Sequence, residues 1–157
     1  MLLIFKAIKI VKEKFDSSII EKMNIVCINS SKNLQEGNDA IIKNVEIKKI
    51  NELFEDADEF GSLIKVPEIK VVEGESKVIQ QYKILSQKYD VVCTNPPYMG
   101  KKNINKKLSE FLKDNYPDTK SEMYAAFIER CLDFTVENGY LAMITIHSWM
   151  FISSFKN

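Results

Sequence analysis

The sequence predicts an α/β protein, a parallel sheet flanked by helices, and three stretches carry that expectation. "YDVVCT", residues 89–94, is a short apolar run rich in β-branched residues that ends at Asn95-Pro96-Pro97. "KSEMYAAFIERCLDFTVENG", residues 120–139, sets Tyr124, Phe127, Ile128, Cys131 and Leu132 at helical spacing. "YLAMITI", residues 140–146, is a continuous apolar run of the kind buried on both faces of a sheet. Strand, helix and strand in that order need a crossover, and such a crossover makes the two strands parallel.

The other elements follow in chain order. Residues 2–15 space Ile4, Ile8, Val11 and Phe15 with lysines between, which is an amphipathic helix that starts at the first residue without a cap. "MNIVCIN", 23–29, reads as a buried strand feeding the polar loop "NSSKN". Residues 38–73 mix an alternating piece with a helix-like piece around Leu53, Phe54 and Phe60. "SKVIQQYKILSQK" is helical, with Val78, Tyr82 and Leu85 on one face. A helix from Asn105 is interrupted by Pro117, and Ser121 is the expected cap of the next, which Asn138-Gly139 should stop.

Composition narrows the class. A chain of 157 residues, 45% hydrophobic and 28% charged, can bury one ordinary core. Lys+Arg and Asp+Glu both number 22, so no global basic field advertises a polyanion, and any nucleic-acid contact must be local. Cys27, Cys93 and Cys131 lack a C-x-x-C pairing and there is one histidine, which excludes a zinc site. They read as small buried hydrophobes in a reducing compartment. The lysines at 6 and 9 break the N-terminal apolar run too early for a membrane span, and no signal-peptide pattern precedes it, so a cytoplasmic location is expected.

The chemistry concentrates in Asn95-Pro96-Pro97-Tyr98, at the C-terminal end of a strand, where open α/β sheets bind ligands. Pro96 and Pro97 have fixed φ and no N–H, so the turn is stiff and its carbonyls are free to accept. Asn95 adds a side-chain carbonyl and Tyr98 a flat ring. Adjacent acceptors beside a stacking ring suit an exocyclic amino group on a planar base, and stacking is worth roughly 1–3 kcal/mol per base. The bland alternative is loop punctuation, since Asn-Pro and Pro-Pro are common in turns. An N-P-x-Y adaptor-binding peptide would need a flexible exposed tail, whereas this tetrad follows a strand.

"YDVVCTNPPY" resembles the catalytic motif of amino-methyltransferases that use S-adenosylmethionine, above all adenine-N6 DNA methyltransferases. The run "NPPYMGKKNINKKLSEFLKDNYPDTKSEMYAAFIERCLDFTVENGYLAMITIHSWMF" is similar to the methyltransferase of BREX-type phage-defence systems (PglX-like) and to related type II restriction-modification enzymes, and "FEDADEFGSLIKV" looks like another segment of that family. The resemblance implies a partial Rossmann-like class I S-adenosylmethionine-dependent methyltransferase domain. Asn95 and the Pro96 carbonyl would accept hydrogen bonds from the amino group of a flipped adenine, Pro97 would stiffen the turn, and Tyr98 would stack on the base. Positioning is then the main lever, and no strong general base is required. The double-stranded DNA partner would be met at phosphates by Lys101, Lys102, Lys106 and Lys107, unless these are a solvated helix start. Asn29, with Ser30 beside it, falls where family members approach the cofactor.

The same resemblance makes residues 1–157 a single partial domain. The family's Gly-rich first strand-turn, its later strands and its target-recognition domain have no counterpart; the five glycines never form G-x-G. "NIVCIN", "YDVVCT" and "YLAMITI" align with strands 3, 4 and 5 of a sheet in which strands 1 and 2 separate 3 from 4. A bare strand edge and self-association are therefore expected, and the isolated chain should be inactive. The other readings are an N-methyltransferase acting on protein glutamine or RNA, which shares the tetrad, and a non-catalytic scaffold or interaction module. His147 has no nucleophile and carboxylate to complete a triad, so it reads as pocket lining; Trp149 and Phe151 read as core or rim, and Asp56, Asp58 and Glu59 as a solvated acidic run.

Overall fold

A computed structural model of the chain describes residues 27–33, 45–70 and 77–151. The expected helix 2–15 and residues 23–26 of the expected first strand lie outside the described residues; residues 27–30 are not in a strand. The described elements are α1 (Val45–Leu53), the short α2 (Ala57–Phe60), α3 (Lys77–Ser86), β1 (Tyr89–Thr94), α4 (Lys106–Asn115), α5 (Met123–Phe134) and β2 (Thr135–Met143). β1 and β2 pair in parallel, with α4 and α5 in the crossover, so the strand–helix–strand unit forms as expected.

Two apolar clusters hold these elements together. Ile50 and Phe54 from the α1 side meet Val78, Tyr82 and Leu85 of α3, the last three being the face anticipated from spacing. Leu108, Leu112 and Tyr116 meet Leu63, Met123 and Ala126 in the second. Fully burying one such side chain contributes about 1.5–3 kcal/mol, so these two clusters, rather than helix propensity, decide where the helices sit. Phe60 belongs to the edge of both and stacks on Phe111 at 4.1 Å, 10° between planes.

α4 starts as the sequence indicates, with the Asn105 side chain accepting from Leu108 N–H at 2.8 Å. α5 does not. Ser121 leaves its capping position to Glu122, whose backbone is extended and bridged antiparallel to Gly100, and the Ser121 carbonyl accepts from Lys101 N–H at 3.1 Å. Pairing with the preceding loop outweighs the local cap. At the other end α5 stops at Phe134, before Asn138-Gly139. Thr135 takes an extended conformation, its hydroxyl donating to the Cys131 carbonyl at 2.7 Å, and begins β2 five residues earlier than the apolar run does. Asn138-Gly139 instead forms an irregularity inside β2: Tyr89 pairs with Thr135, but Val91 pairs with Tyr140. Asn138 has φ 63°, a left-handed conformation that asparagine tolerates. A Cβ at Gly139 would lie 2.7 Å from the Thr135 methyl and 2.9 Å from the Asp90 carbonyl, which is why glycine is required there.

The apolar strands are not buried on both faces. Val91 is 59% and Tyr140 75% exposed, and Cys93 and Ala142 on the same face are exposed as well. Among the described residues the sheet has two strands and nothing covers that face. Cys27 and Cys93 are accordingly exposed, against expectation, while Cys131 is buried. On α5, Leu132 faces out at 58% exposure; the buried positions fall on Met123, Tyr124, Ala125, Ala126, Arg130 and Cys131.

Candidate functional site

β1 delivers the chain to Asn95 as it leaves the sheet, and the last rung of the ladder is Ile144 N–H donating to the Thr94 carbonyl at 3.3 Å. Pro96 is buried; Asn95, Pro97 and Tyr98 are exposed, Tyr98 by 49%. The loop is held from three directions. The Tyr98 hydroxyl donates to the Ile144 carbonyl at 2.7 Å and lies 3.4 Å from Asn95 Oδ1. Its ring meets that of Tyr124 at 6.4 Å between centroids, 64° between planes. Beyond the tetrad, Met123 N–H donates to the Met99 carbonyl at 3.0 Å, so a helix-start donor with no partner in its own helix closes the loop. The result is an exposed side-chain carbonyl, a stiff Pro-Pro turn and a half-exposed aromatic ring in one anchored loop.

Of the four lysines, Lys101, Lys102, Lys106 and Lys107 are all exposed. They do not behave alike. Lys107 pairs with Asp56 at 2.5 Å, and Lys106 with Glu110 at 3.9 Å. Lys101 and Lys102 have no acidic partner among the described residues. Lys107 holds the Asp56 carboxyl below the usual carboxylate range, and Asp56 in turn raises the Lys107 ammonium.

Asn29 and Ser30 sit against α3 and α2, their polar groups already engaged. Asn29 N–H donates to Gln81 Oε1 at 2.6 Å, and Gln81 Nε2 returns to the Asn29 carbonyl at 3.2 Å. Buried Ser30 donates its N–H to Asp58 at 2.9 Å and its hydroxyl to the Glu55 carbonyl at 2.5 Å. The acidic run is therefore not merely solvated: Asp58 takes Ser30, and Asp56 takes Lys107 and, at 3.7 Å, Lys32. His147 is exposed and lies edge-on to Phe151, itself exposed, at 6.2 Å. Among the described residues no helix is long and apolar enough to cross a membrane, and no group of three or more acidic, His or Cys residues has metal-holding geometry.

Residues 51–157, more than half of the chain, match the Eco57I restriction-modification methylase family. The chain belongs to that family. Among its relatives, the methylase chain is 39% identical to the adenine-specific methyltransferase BrxX of Escherichia coli O9:H4 (strain HS), over 66% of this chain and 11% of that protein. It is 49% identical to the adenine-specific methyltransferase PglX of Lacticaseibacillus casei (strain Zhang), over 50% of this chain and 7% of that protein. The chain thus spans about a tenth or less of the length of these curated relatives. A methylase family with a parallel strand pair and helical crossover agrees with a Rossmann-like fold.

Two members of the site carried no signal in the sequence. Tyr124 counts there as one residue of an apolar stripe, and Ile144 as one residue of an apolar strand. Only the crossover brings the first ring and the second carbonyl to Tyr98.

Proposed function

We propose that this methylase chain carries the acceptor-binding part of an adenine-N6 DNA methyltransferase of a phage-defence or restriction-modification system. The observation that supports it is the anchored Asn95–Tyr98 loop at the end of a parallel strand, in a family whose relatives here are named adenine-specific methyltransferases. Asn95 Oδ1 and the Pro96 carbonyl accept the two N–H bonds of the adenine amino group, which fixes the nitrogen and directs its lone pair out of the base plane. Pro97 keeps the turn from adjusting, and Tyr98 supplies the stacking face for a base lifted out of a DNA duplex. Lys101 and Lys102 meet target phosphates; Lys106 and Lys107 have intramolecular partners and contribute less. A DNA substrate implies a cytoplasmic protein. Neither the glutamine or RNA reading nor the scaffold reading has an observation of its own in favour.

A methylase family uses S-adenosylmethionine in general. The described residues do not fit it: Asn29 spends its N–H and carbonyl on Gln81, Ser30 its N–H and hydroxyl on Asp58 and Glu55, and the sequence holds no G-x-G turn. Residues 1–157 therefore act as a partial domain that supplies the acceptor side of the reaction and is inactive alone. The open sheet face and edge give it a surface for self-association.

The test uses the full reading frame that encodes this chain, with labelled S-adenosylmethionine and unmethylated plasmid DNA. Asn95→Ala should lower methylation by about 10²-fold, the scale for removing one preorganised hydrogen-bonding partner of a reacting group. Tyr98→Ala should lower it by roughly 5- to 150-fold, the equivalent of one lost base stack. Full activity in either variant overturns the reading.

A further inference from the structure

A half-exposed tyrosine on a loop ordinarily samples several rotamers, and a ligand that needs one of them loses affinity for the immobilisation. Tyr98 is held at both ends of its ring system before any ligand arrives. At the tip, its hydroxyl donates to the Ile144 carbonyl, just past the end of β2. At the side, its ring meets Tyr124, a residue only 1% exposed in the first turn of α5. The start of α5 is in turn joined to the loop through the backbone: Met123 N–H to the Met99 carbonyl, Lys101 N–H to the Ser121 carbonyl, and the Gly100–Glu122 bridge. These same ties displace Ser121 from its cap. The start of the helix is thus set by the loop, and the place of Tyr124 beside Tyr98 follows from it.

We infer that Tyr124 is a positioning residue, which together with the Ile144 carbonyl fixes the ring plane of Tyr98 so that its exposed part meets a planar base without rearrangement. The inference rests on the reading above for the identity of the ligand, but the ring's fixation is a property of the chain itself. Preorganised rings of this kind raise affinity by removing the cost of ordering rather than by adding contacts.

The test has two readouts. In this chain labelled with 3-fluorotyrosine, the Tyr98 resonance, assigned by its loss in Tyr98→Phe, should lie away from that of free fluorotyrosine. It should stay there in Tyr124→Phe and move toward the free position in Tyr124→Leu. In the full reading frame, Tyr124→Leu should lower kcat/KM for plasmid methylation about tenfold, the scale of one lost aromatic pair, while Tyr124→Phe stays within about twofold. Ring-proton Overhauser contacts between Tyr98 and Tyr124 in the unsubstituted chain test the geometry even if Tyr124→Leu fails to fold, and their absence overturns the inference. So does a Tyr98 resonance indifferent to Tyr124→Leu in a folded variant, or an equal loss of kcat/KM in Phe and Leu. Failure of the underlying reading shows differently: Tyr98→Ala then retains full methylation while the Tyr98 resonance still responds to Tyr124→Leu.

Discussion

Arg130 donates to the carbonyl oxygens of Ile64 at 2.8 Å, Leu85 at 3.1 Å and Ser62 at 3.3 Å, and its guanidinium lies 4.0 Å from the Phe134 ring centroid. It joins α5 to the end of α3 and to the turn after α2. Burial lowers its pKa from the ordinary guanidinium value, and Asp133 at 3.7 Å offsets part of that cost. Nothing in the sequence marks it out, because an arginine in a helix reads as solvated. Arg130→Ala should leave those carbonyls without their donor and cost about 3 kcal/mol, read as a lower urea midpoint at unchanged slope. Arg130→Lys should recover part of it, since an ammonium reaches fewer carbonyls than the planar fork. An Ala variant with the unsubstituted midpoint would show that the interior relaxes around the loss.

At the scale of elements, the start of α4 has two lysines, 106 and 107, where the helix dipole favours negative charge. Asp56 offsets this by pairing with Lys107, and the same carboxylate draws in Lys32 from the Ser31–Asn33 turn. The pH dependence follows from the two shifts. Asp56 is lowered from its ordinary 3.8, first through its hydrogen bond with Lys107, so the tie's contribution is complete above that value and is lost as pH falls through the lower folded one. Lys107 is raised from 10.5, so its contribution is complete below that value and is lost as pH rises through the higher folded one. Asp56→Asn should therefore flatten the acid limb of a stability–pH curve below pH 3.8 and leave salt-insensitive core packing untouched. An unchanged acid limb would show that the pair contributes no net stability. The exposure of both side chains keeps the expected effect small.

For the whole molecule, the open sheet face is the feature with the largest physical consequence. Val91 and Tyr140 are register partners, exposed together, and each strand has a free edge among the described residues. Parallel sheets are normally covered on both faces, and free edges recruit further strands. Light scattering should show the mass of this chain rising across the micromolar range, and Tyr140→Lys should hold it at one chain. A monomeric mass throughout would overturn the expectation that the open face and edges drive self-association.

Most of the site and its scaffold was legible because it is local. The β1 run, the Pro-Pro turn after it, the helix start at Asn105 and the Val78, Tyr82, Leu85 face each depend on residues within a few positions of one another, and so does the family motif at Asn95–Tyr98. What spacing misjudged depends on pairing at a distance. Glu122 took the place of Ser121 at the start of α5 because Gly100 pairs with it. β2 began at Thr135 because β1 lies beside it, and Asn138-Gly139, a stop signal in isolation, became an irregularity within that strand. Arg130, Tyr124 and the Ile144 carbonyl meet their partners only once the crossover closes. The sequence by itself determined where the Asn95–Tyr98 loop lies and of what it is made. The tertiary structure decided what holds that loop, because the groups that fix it come from further along the chain: Met123 N–H reaches the Met99 carbonyl, the Tyr124 ring meets Tyr98, and the Ile144 carbonyl accepts from the Tyr98 hydroxyl.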